Sequence, residues 1–310
     1  MGTKIIGWGT ALPDKVVTNA DLEKTLDTSD AWIIERSGIR ERRIGTSTGE
    51  LAIAAGRAAL ARANVDPATI DLLILATTTP DQTVPATSSS VHHALGLSGG
   101  AFDLNAACAG YTYGIVTAHS MLATGVKRAL LIGAETLSRI TNWDDRNTAV
   151  LFGDGGGALL LEATPDEGEL LAWDLGLDGS AASILKSEVG GTIEMEGREV
   201  FKRAVRVMVD SATKSLDRAK VRPEEIKLVV PHQANIRIIQ AACDRLGIDR
   251  ERAATVLDRT GNTSSASIPL ALVDAIEKGR VQPGDLILLV GFGAGMTWSS
   301  ALIRWGSSLA

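Results

Sequence analysis

The sequence predicts an α/β protein built from two similar halves. Strand and helix patterns alternate along its 310 residues, which is typical of sheets covered by helices. The predicted strands, such as DLLILA at residues 71–76, are continuous apolar runs, as in strands buried on both faces. A segment of the first half also recurs in the second, which indicates that the halves share one architecture.

The recurring segment joins a helix, a proline turn and a strand. LARANVDPATIDLLIL begins at Leu60, and LDRAKVRPEEIKLVV begins at Leu216. RALLIGAE at residues 128–135 likewise has a counterpart in GDLILLVGFG at 284–293. A Pro/Gly/acidic connector near 163–169 separates the copies, so we expect one half at residues 1–165 and another at 166–310. Seven residues of the first stretch recur 156 positions later: Leu60, Arg62, Ala63, Val65, Pro67, Ile70 and Leu72.

Composition argues against several classes of protein. Hydrophobic residues make up 45% of the chain and charged residues 22%, which indicates a globular protein. The net charge of −6 gives no reason to expect nucleic acid as a partner. There is no signal-peptide pattern and no apolar run long enough for a membrane helix, so we expect no membrane association. With only two cysteines, Cys108 and Cys243, we expect a cytoplasmic protein without disulfides.

The N-terminal region contains two candidate ligand sites. The G-W-G at residues 7–9 follows a predicted strand, but a Leu-Pro pair replaces the third glycine of a dinucleotide fingerprint. Ser29 is predicted to cap a helix that carries Trp32. The cluster of arginines that follows is either a solvated face or, beside an exposed tryptophan, a site for a phosphorylated ligand. Its members are Arg36, Arg40, Arg42 and Arg43.

Cys108 is predicted to lie where a strand at residues 101–104 passes into a long helix. Unpaired backbone N–H groups and the positive end of the helix dipole favour a thiolate at such a place. Its neighbours are alanines and a glycine, which leave room for a substrate. A buried structural cysteine is the alternative, because free cysteines are among the most buried residues.

His232 and Asn262 are the candidate partners of Cys108. His232 directly follows a predicted strand, at the end where open α/β sheets bind ligands. Asn262 lies in the GNTSSAS loop, onto which the 156-residue offset maps Cys108 at Ser264. If the halves pack about a pseudo-two-fold axis, the three side chains meet in one cleft. Cys, His and Asn form a nucleophilic set, but the same set suits a cysteine hydrolase.

Two glycine-rich loops, at residues 153–157 and 291–295, lack the Lys-Ser/Thr ending of a phosphate-binding P-loop. For the first loop we expect close packing or turns with positive φ. The second follows a predicted buried strand, so one of its N–H groups can join that of Cys108 in an oxyanion hole.

Four motifs of the chain resemble those of β-ketoacyl-acyl carrier protein synthase III, the initiating condensing enzyme of type II fatty acid synthesis. They are AACAG around Cys108, PHQAN around His232, GNTSSAS around Asn262 and the C-terminal GFGAGMTW. SDAWIIERSGIRERR and FGDGGGA match as well, so the likeness covers almost the whole chain in the family's order. The resemblance implies an α/β fold of the thiolase type, with five αβαβα layers in two duplicated halves, and a homodimer.

The resemblance also implies roles for the matched residues. Cys108 would take an acyl group from acyl-CoA, and His232 and Asn262 would stabilise the enolate left when malonyl-acyl carrier protein loses CO₂. The Cys108 and Ala294 N–H groups would form the oxyanion hole, beside a gating Phe292. Lys202 and Arg237 would dock the acidic carrier protein. Coenzyme A would bind at Trp32, Arg36, Arg146, Gly197 and Asn235.

Neither a metal nor another cofactor is implied, since the CoA thioester is a substrate. Three positions depart from the family pattern: residues 178–192 form a shortened loop, Asp244 replaces a basic residue, and Thr83-Val84 stands where the partner subunit closes the acyl pocket. These departures leave the primer's length and branching open. A related enzyme of polyketide or other secondary metabolism is the nearest alternative.

Two remoter alternatives have weaker support in the sequence. An inactive partner subunit of a heterodimeric synthase would not need Cys108, His232 and Asn262 together. A cysteine hydrolase would not explain the Trp32 region or the C-terminal motif.

Overall fold

The computed structural model describes residues 2–166 and 168–306. The first half contains strands β1 (Gly2–Ala11), β2 (Val16–Thr18), β3 (Glu41–Arg43), β4 (Leu72–Ala76), β5 (Gly100–Leu104), β6 (Arg128–Thr136) and β7 (Asp154–Thr164). Its helices are α1 (Asn19–Leu22), α2 (Asp30–Ser37), α3 (Thr48–Ala63), α4 (Thr87–Leu95) and α5 (Gly110–Ala123).

The second half begins with β8 (Leu170–Leu177) and continues through β9 (Leu185–Lys186), β10 (Glu194–Met195), β11 (Ile226–Pro231), β12 (Leu286–Gly293) and β13 (Thr297–Arg304). Its helices are α6 (Gly197–Ala219), α7 (Ile236–Leu246), α8 (Leu257–Thr260) and α9 (Ser267–Glu277).

The two main sheets have the same strand order, which is the structural form of the sequence repeat. The first runs β1-β7-β6-β4-β5, and the second runs β8-β13-β12-β11. In both, the inner pair is parallel (β4 with β6, β11 with β12) and the next two pairings are antiparallel. The counterpart of β5 is reduced to a single parallel bridge between Val229 and Ala253. The predicted boundary at residue 165 stays a prediction, but no strand of either sheet crosses it.

Five layers result from the packing of helices on these sheets. α3 and α4 cover the outer face of the first sheet, where Ala55 and Val91 pack against Leu73. α5 and α9 lie between the sheets, and Ile115 and Ile268 belong to the central core that both sheets share. α6 and α7 cover the outer face of the second sheet. The predicted α/β fold with five αβαβα layers and duplicated halves is therefore confirmed.

The turns before α5 and α9 correct the predicted alignment of the halves by one residue. A short 3-10 turn, Ala107–Ala109, precedes α5, and its counterpart Ser264–Ala266 precedes α9. The first turn begins at Ala107 with a φ of 49°, and the second at Ser264 with a φ of 47°. At these turns, matching residues of the two halves are one residue further apart than in the preceding repeat. Cys108 therefore corresponds to Ser265 rather than to Ser264.

The helices of the described residues do not include one long and apolar enough to cross a membrane.

Candidate active site

Cys108 lies in the 3-10 turn between β5 and α5, against the end of β12. The turn fits because Gly293 has no side chain: a Cβ there would come within 2.5 Å of the Cys108 amide nitrogen. The residue is partly accessible from a cavity, yet protein surrounds its sulfur. Burial raises the pKa of the Cys108 thiol to about 12, the nearby Ser264 side chain and the backbone N–H of Cys108 oppose this rise, and the charge of Glu135 adds to it. The start of α5 supplies a further opposing influence, because helix N-termini favour anions.

His232 follows β11 and is held rigidly. Its backbone N–H donates to the Val290 carbonyl, at 2.8 Å, and its Nδ1 lies 2.7 Å from the Ser267 hydroxyl. The Phe292 ring packs edge-on against the imidazole, with ring centroids 5.4 Å apart. Burial lowers the pKa of His232 to about 3, so the ring is neutral at physiological pH.

The Asn262 side chain is fixed by the loop that carries it. Its backbone N–H donates to the Leu151 carbonyl at 2.8 Å, and its carbonyl accepts from Gly153 at 3.0 Å. Its Oδ1 accepts a hydrogen bond from the Ser264 N–H at 2.9 Å. The amide Nδ2 donors are therefore left for the cavity, and they have no protein partner among the described residues.

One cavity of about 1750 Å³ brings these groups together. Cys108, His232 and Asn262 all line it, although they come from both halves of the chain. Phe292 and Ala294 line it as well. Within the described ranges we find no group of three or more His, Cys, Asp or Glu residues that could hold a metal ion.

Four of the five expected CoA residues line the cavity. Trp32 contacts two guanidinium groups, with the Arg146 carbon 4.8 Å and the Arg36 carbon 5.4 Å from its ring centroid. Arg146 also forms an ion pair with Asp27 at 3.5 Å and does not itself line the cavity. Asn235 lines the cavity and donates from Nδ2 to the Arg36 carbonyl at 2.8 Å.

The remaining predicted residues lie on α6 and α7, and of these Gly197 and Arg237 line the cavity but Lys202 does not. Gly197 is the first residue of α6 and lines the cavity. Lys202 is exposed one turn further along this helix. Arg237, on the first turn of α7, lines the cavity and places its guanidinium 5.7 Å from the Phe201 ring. Neither Lys202 nor Arg237 forms an ion pair with a described residue.

Sequence reasoning did not identify three polar residues that hold the site. Ser264 and Ser267 are inside the GNTSSAS motif, so the motif itself was the available signal. Glu135 is fully buried at the end of β6 and accepts hydrogen bonds from Thr77, Thr78, Thr79 and Ser265. No local pattern marked it, because its partners come from distant parts of the chain.

Comparison with known proteins agrees with this architecture. Residues 102–179 match the family model for 3-oxoacyl-[acyl-carrier-protein] synthase III, and residues 216–305 match the model for its C-terminal part. A β-ketoacyl-[acyl-carrier-protein] synthase III of Listeria monocytogenes is 48% identical over 99% of this chain and 100% of its own.

Solved structures give the same result. The crystal structure of 3-oxoacyl-[acyl-carrier-protein] synthase III from Aquifex aeolicus superposes with a TM-score of 0.96 at 46% identity, covering 98% of this chain and 100% of its own. The priming β-ketosynthase of the R1128 polyketide pathway superposes with a TM-score of 0.94 at 33% identity, covering 98% and 97%. With such identity over almost its full length, the chain belongs to the β-ketoacyl-[acyl-carrier-protein] synthase III family.

Proposed function

We propose that the protein condenses a short acyl-CoA primer with malonyl-acyl carrier protein, through an acyl group held on Cys108, and so initiates type II fatty acid synthesis. The observation that carries the proposal is the single cavity in which a cysteine at a helix start faces a neutral histidine and an oriented asparagine amide. The product is a 3-oxoacyl-acyl carrier protein.

Acylation of Cys108 is the first step of this scheme. The thiolate attacks the carbonyl carbon of the acyl-CoA thioester, the C–S bond to coenzyme A breaks, and the proton of the original thiol ends on the CoA sulfur. The N–H groups of Cys108 and Ala294 would stabilise the oxyanion, since the close contact at Gly293 brings these two backbone segments together.

The decarboxylation step relies on the tautomer of His232. The Ser267 oxygen accepts from the Gln233 N–H at 3.3 Å, and Nδ1 is the only acceptor of its own hydrogen among the described residues. Ser267 therefore donates to Nδ1, and the ring's hydrogen is on Nε2, where it can donate to substrate. His232 and the Asn262 amide then form a pair of neutral donors.

These two donors would hold the malonyl thioester oxygen as CO₂ leaves, because negative charge develops there. The resulting carbanion attacks the acyl group on Cys108, the new C–C bond forms, and the Cys108 thiolate departs and takes a proton from water. No redox or metal chemistry enters this balance.

Substrate binding is proposed to divide between two surfaces. Trp32, Arg36 and Arg146 would hold the adenine and phosphates of coenzyme A by stacking and charge, while Asn235 and Gly197 would line the pantetheine path.

Lys202 and Arg237 would attract the acidic carrier protein. Asp244, which departs from the family pattern, is paired with Arg250 at 2.7 Å, so its negative charge is compensated.

A homodimer formed through β5 would complete the assembly. β5 is the edge strand of the first sheet, and its residues Ala101–Leu104 are only half-buried. Val84, on the loop beside the cavity, is 83% exposed, which suits a contact with the second copy. The cytoplasm is the proposed location.

A panel of acyl-CoAs with malonyl-acyl carrier protein tests the proposed function. We expect CO₂ release in a one-to-one ratio with 3-oxoacyl product, and loss of both in Cys108→Ala. Acyl transfer without CO₂ would contradict the proposal.

A second candidate, a priming synthase of polyketide metabolism, is favoured by the likeness to the R1128 enzyme. Strong preference for a polyketide carrier protein over a fatty acid carrier protein would favour it. An inactive partner subunit would show neither product.

A further inference from the structure

The proposed tautomer of His232 cannot act as a base toward Cys108, so the Cys108 thiolate has no obvious side-chain partner. In the tautomer proposed above, Nδ1 accepts from Ser267 and Nε2 carries a hydrogen, so the neutral ring has no free lone pair with which to take the thiol proton. The sulfur is nevertheless anionic before acylation and again when it leaves the acyl group. The backbone N–H of Cys108 and the start of α5 favour the anion, but a buried charge with few donors is costly, so a side-chain donor is expected nearby.

Among the buried, unpartnered hydroxyls of the described residues close to Cys108, that of Ser264 belongs to a residue that lines the cavity. Its side chain is 2% exposed and lines the same cavity as Cys108. Its hydroxyl has no well-aligned hydrogen-bond partner among the described residues, which is unusual for a buried polar group. It is also close enough to the thiol to lower the pKa of Cys108.

The backbone around Ser264 fixes where this hydroxyl lies. The turn Ser264–Ala266 packs directly against the turn that carries Cys108. The Ser264 N–H is held by Asn262 Oδ1, and its φ of 47° is in the left-handed region. A non-glycine residue in this region is uncommon and is found where the surrounding structure demands it.

Neighbouring hydroxyls are excluded by their own contacts. The Ser265 hydroxyl has one hydrogen and two acceptors within reach, the Ala76 carbonyl at 2.7 Å and Glu135 at 2.9 Å. The Thr263 hydroxyl is buried and unpartnered, but Thr263 does not line the cavity. Ser267 is committed to His232.

We propose that the Ser264 hydroxyl donates a hydrogen bond to the sulfur of Cys108 whenever that sulfur is anionic. Ser264 keeps its proton throughout, so no bond to hydrogen is made or broken in this contact. The hydroxyl stabilises the attacking thiolate and the departing one alike, and it would make Ser264 a fourth catalytic residue. The inference rests on the proposed function for its role in turnover, but the contact itself can be measured without any substrate.

The other ionisable groups around Cys108 do not supply this stabilisation. Glu135, at the end of β6, raises the pKa of the thiol through its charge. His232 is neutral because burial lowers its pKa. Tyr111, on α5, is kept neutral because burial raises its pKa well above 10. Its hydroxyl and that of Thr112 are buried without a partner among the described residues, but neither residue lines the cavity. β12 contributes no ionisable side chain.

The test is the pH dependence of Cys108 alkylation by iodoacetamide in the full chain, with the modified peptide identified by mass. In Ser264→Ala we expect the midpoint to rise by about one pH unit and the rate below it to fall about tenfold, as for loss of a hydrogen bond to a charged group. Ser264→Gly removes the same hydroxyl and suits the left-handed backbone, so it replaces the alanine variant if that one does not fold.

Thr263→Val is the matched control, because it removes an adjacent buried hydroxyl that does not face the cavity. Its midpoint should equal that of the parent. An unchanged midpoint in a folded Ser264 variant, or an equal rise in Thr263→Val, would overturn the proposal. The assay uses iodoacetamide and needs neither acyl-CoA nor carrier protein. It therefore tests the contact between Ser264 and Cys108 even if the proposed function is wrong.

Discussion

The Ser267 hydroxyl lies 2.7 Å from Nδ1 of His232, and both side chains are buried. This contact fixes which nitrogen of the imidazole faces the substrate. A neutral ring with its hydrogen on Nε2 is a donor, whereas the other tautomer would be an acceptor and would repel a thioester oxygen.

Ser267→Ala should therefore slow decarboxylation of malonyl-acyl carrier protein by about 10- to 100-fold. This is within the range seen when a catalytic histidine adopts the wrong tautomer or a catalytic donor is lost. The measurement is CO₂ release from carboxyl-labelled malonyl-acyl carrier protein. Alkylation of Cys108 by iodoacetamide is the internal control and should be unaffected. An unchanged rate of CO₂ release would mean that Ser267 does not orient the ring.

The site of CoA binding can be separated from the chemistry with a truncated substrate. Trp32→Ala removes the ring that both Arg36 and Arg146 contact, so the KM for acyl-CoA should rise about tenfold, consistent with loss of stacking and cation–π contacts. The matching acyl-N-acetylcysteamine has no nucleotide, and its kcat/KM should stay the same. Equal losses of kcat/KM with both thioesters would show that Trp32 does not act through the nucleotide of coenzyme A.

Carrier-protein docking is tested by reversing the charges on α6 and α7. The double variant Lys202→Glu/Arg237→Glu should raise the KM for malonyl-acyl carrier protein about tenfold or more at low salt, because rim charges govern encounter. Lys227→Glu is the control, since Lys227 is exposed at the opposite end of β11 from His232. If both changes have the same effect, net charge rather than this surface decides the encounter.

Glu169 should make the stability of the fold fall as pH rises. Burial raises the pKa of its carboxyl to about 7 from an ordinary 4.5, although Oε2 accepts a hydrogen bond from the Ile5 N–H. Between these two values the folded state holds a proton that the unfolded chain has lost, so folding stability decreases with pH across this window and levels off above it.

Glu169→Gln removes this pH dependence. The variant should gain roughly 1–3 kcal/mol relative to the parent between pH 4.5 and pH 8, read from urea unfolding at both pH values. A constant difference in the free energy of unfolding between variant and parent across this range would show that Glu169 keeps its ordinary pKa in the folded protein.

Much of this architecture was readable in the sequence because it depends on local patterns. Apolar runs predicted the buried strands, and Ser29 begins α2 in the structure through an ordinary N-cap hydrogen bond, as predicted. The repeat at Leu60 and Leu216 predicted the duplicated halves, and with the strand-end position of His232 it suggested that two halves meet at Cys108.

What the sequence did not reveal depends on contacts between distant segments. The partners of Glu135 lie more than fifty residues away on either side, so no spacing rule connects them. The turn at Ser264 is displaced by one residue from its predicted match, because the offset between halves changes between the strands and the turns. Seven identities at one offset cannot detect such a change further along the chain.

The central claim is that Cys108 carries the acyl group, and the mass added to the protein tests it most directly. Incubation with a mixture of acyl-CoAs should add a single acyl mass to the peptide that contains Cys108 and none to the peptide of Cys243, and addition of malonyl-acyl carrier protein should remove it with release of CO₂. Cys108→Ala should gain no mass. An acyl group found elsewhere, or turnover that persists without Cys108, would contradict the account.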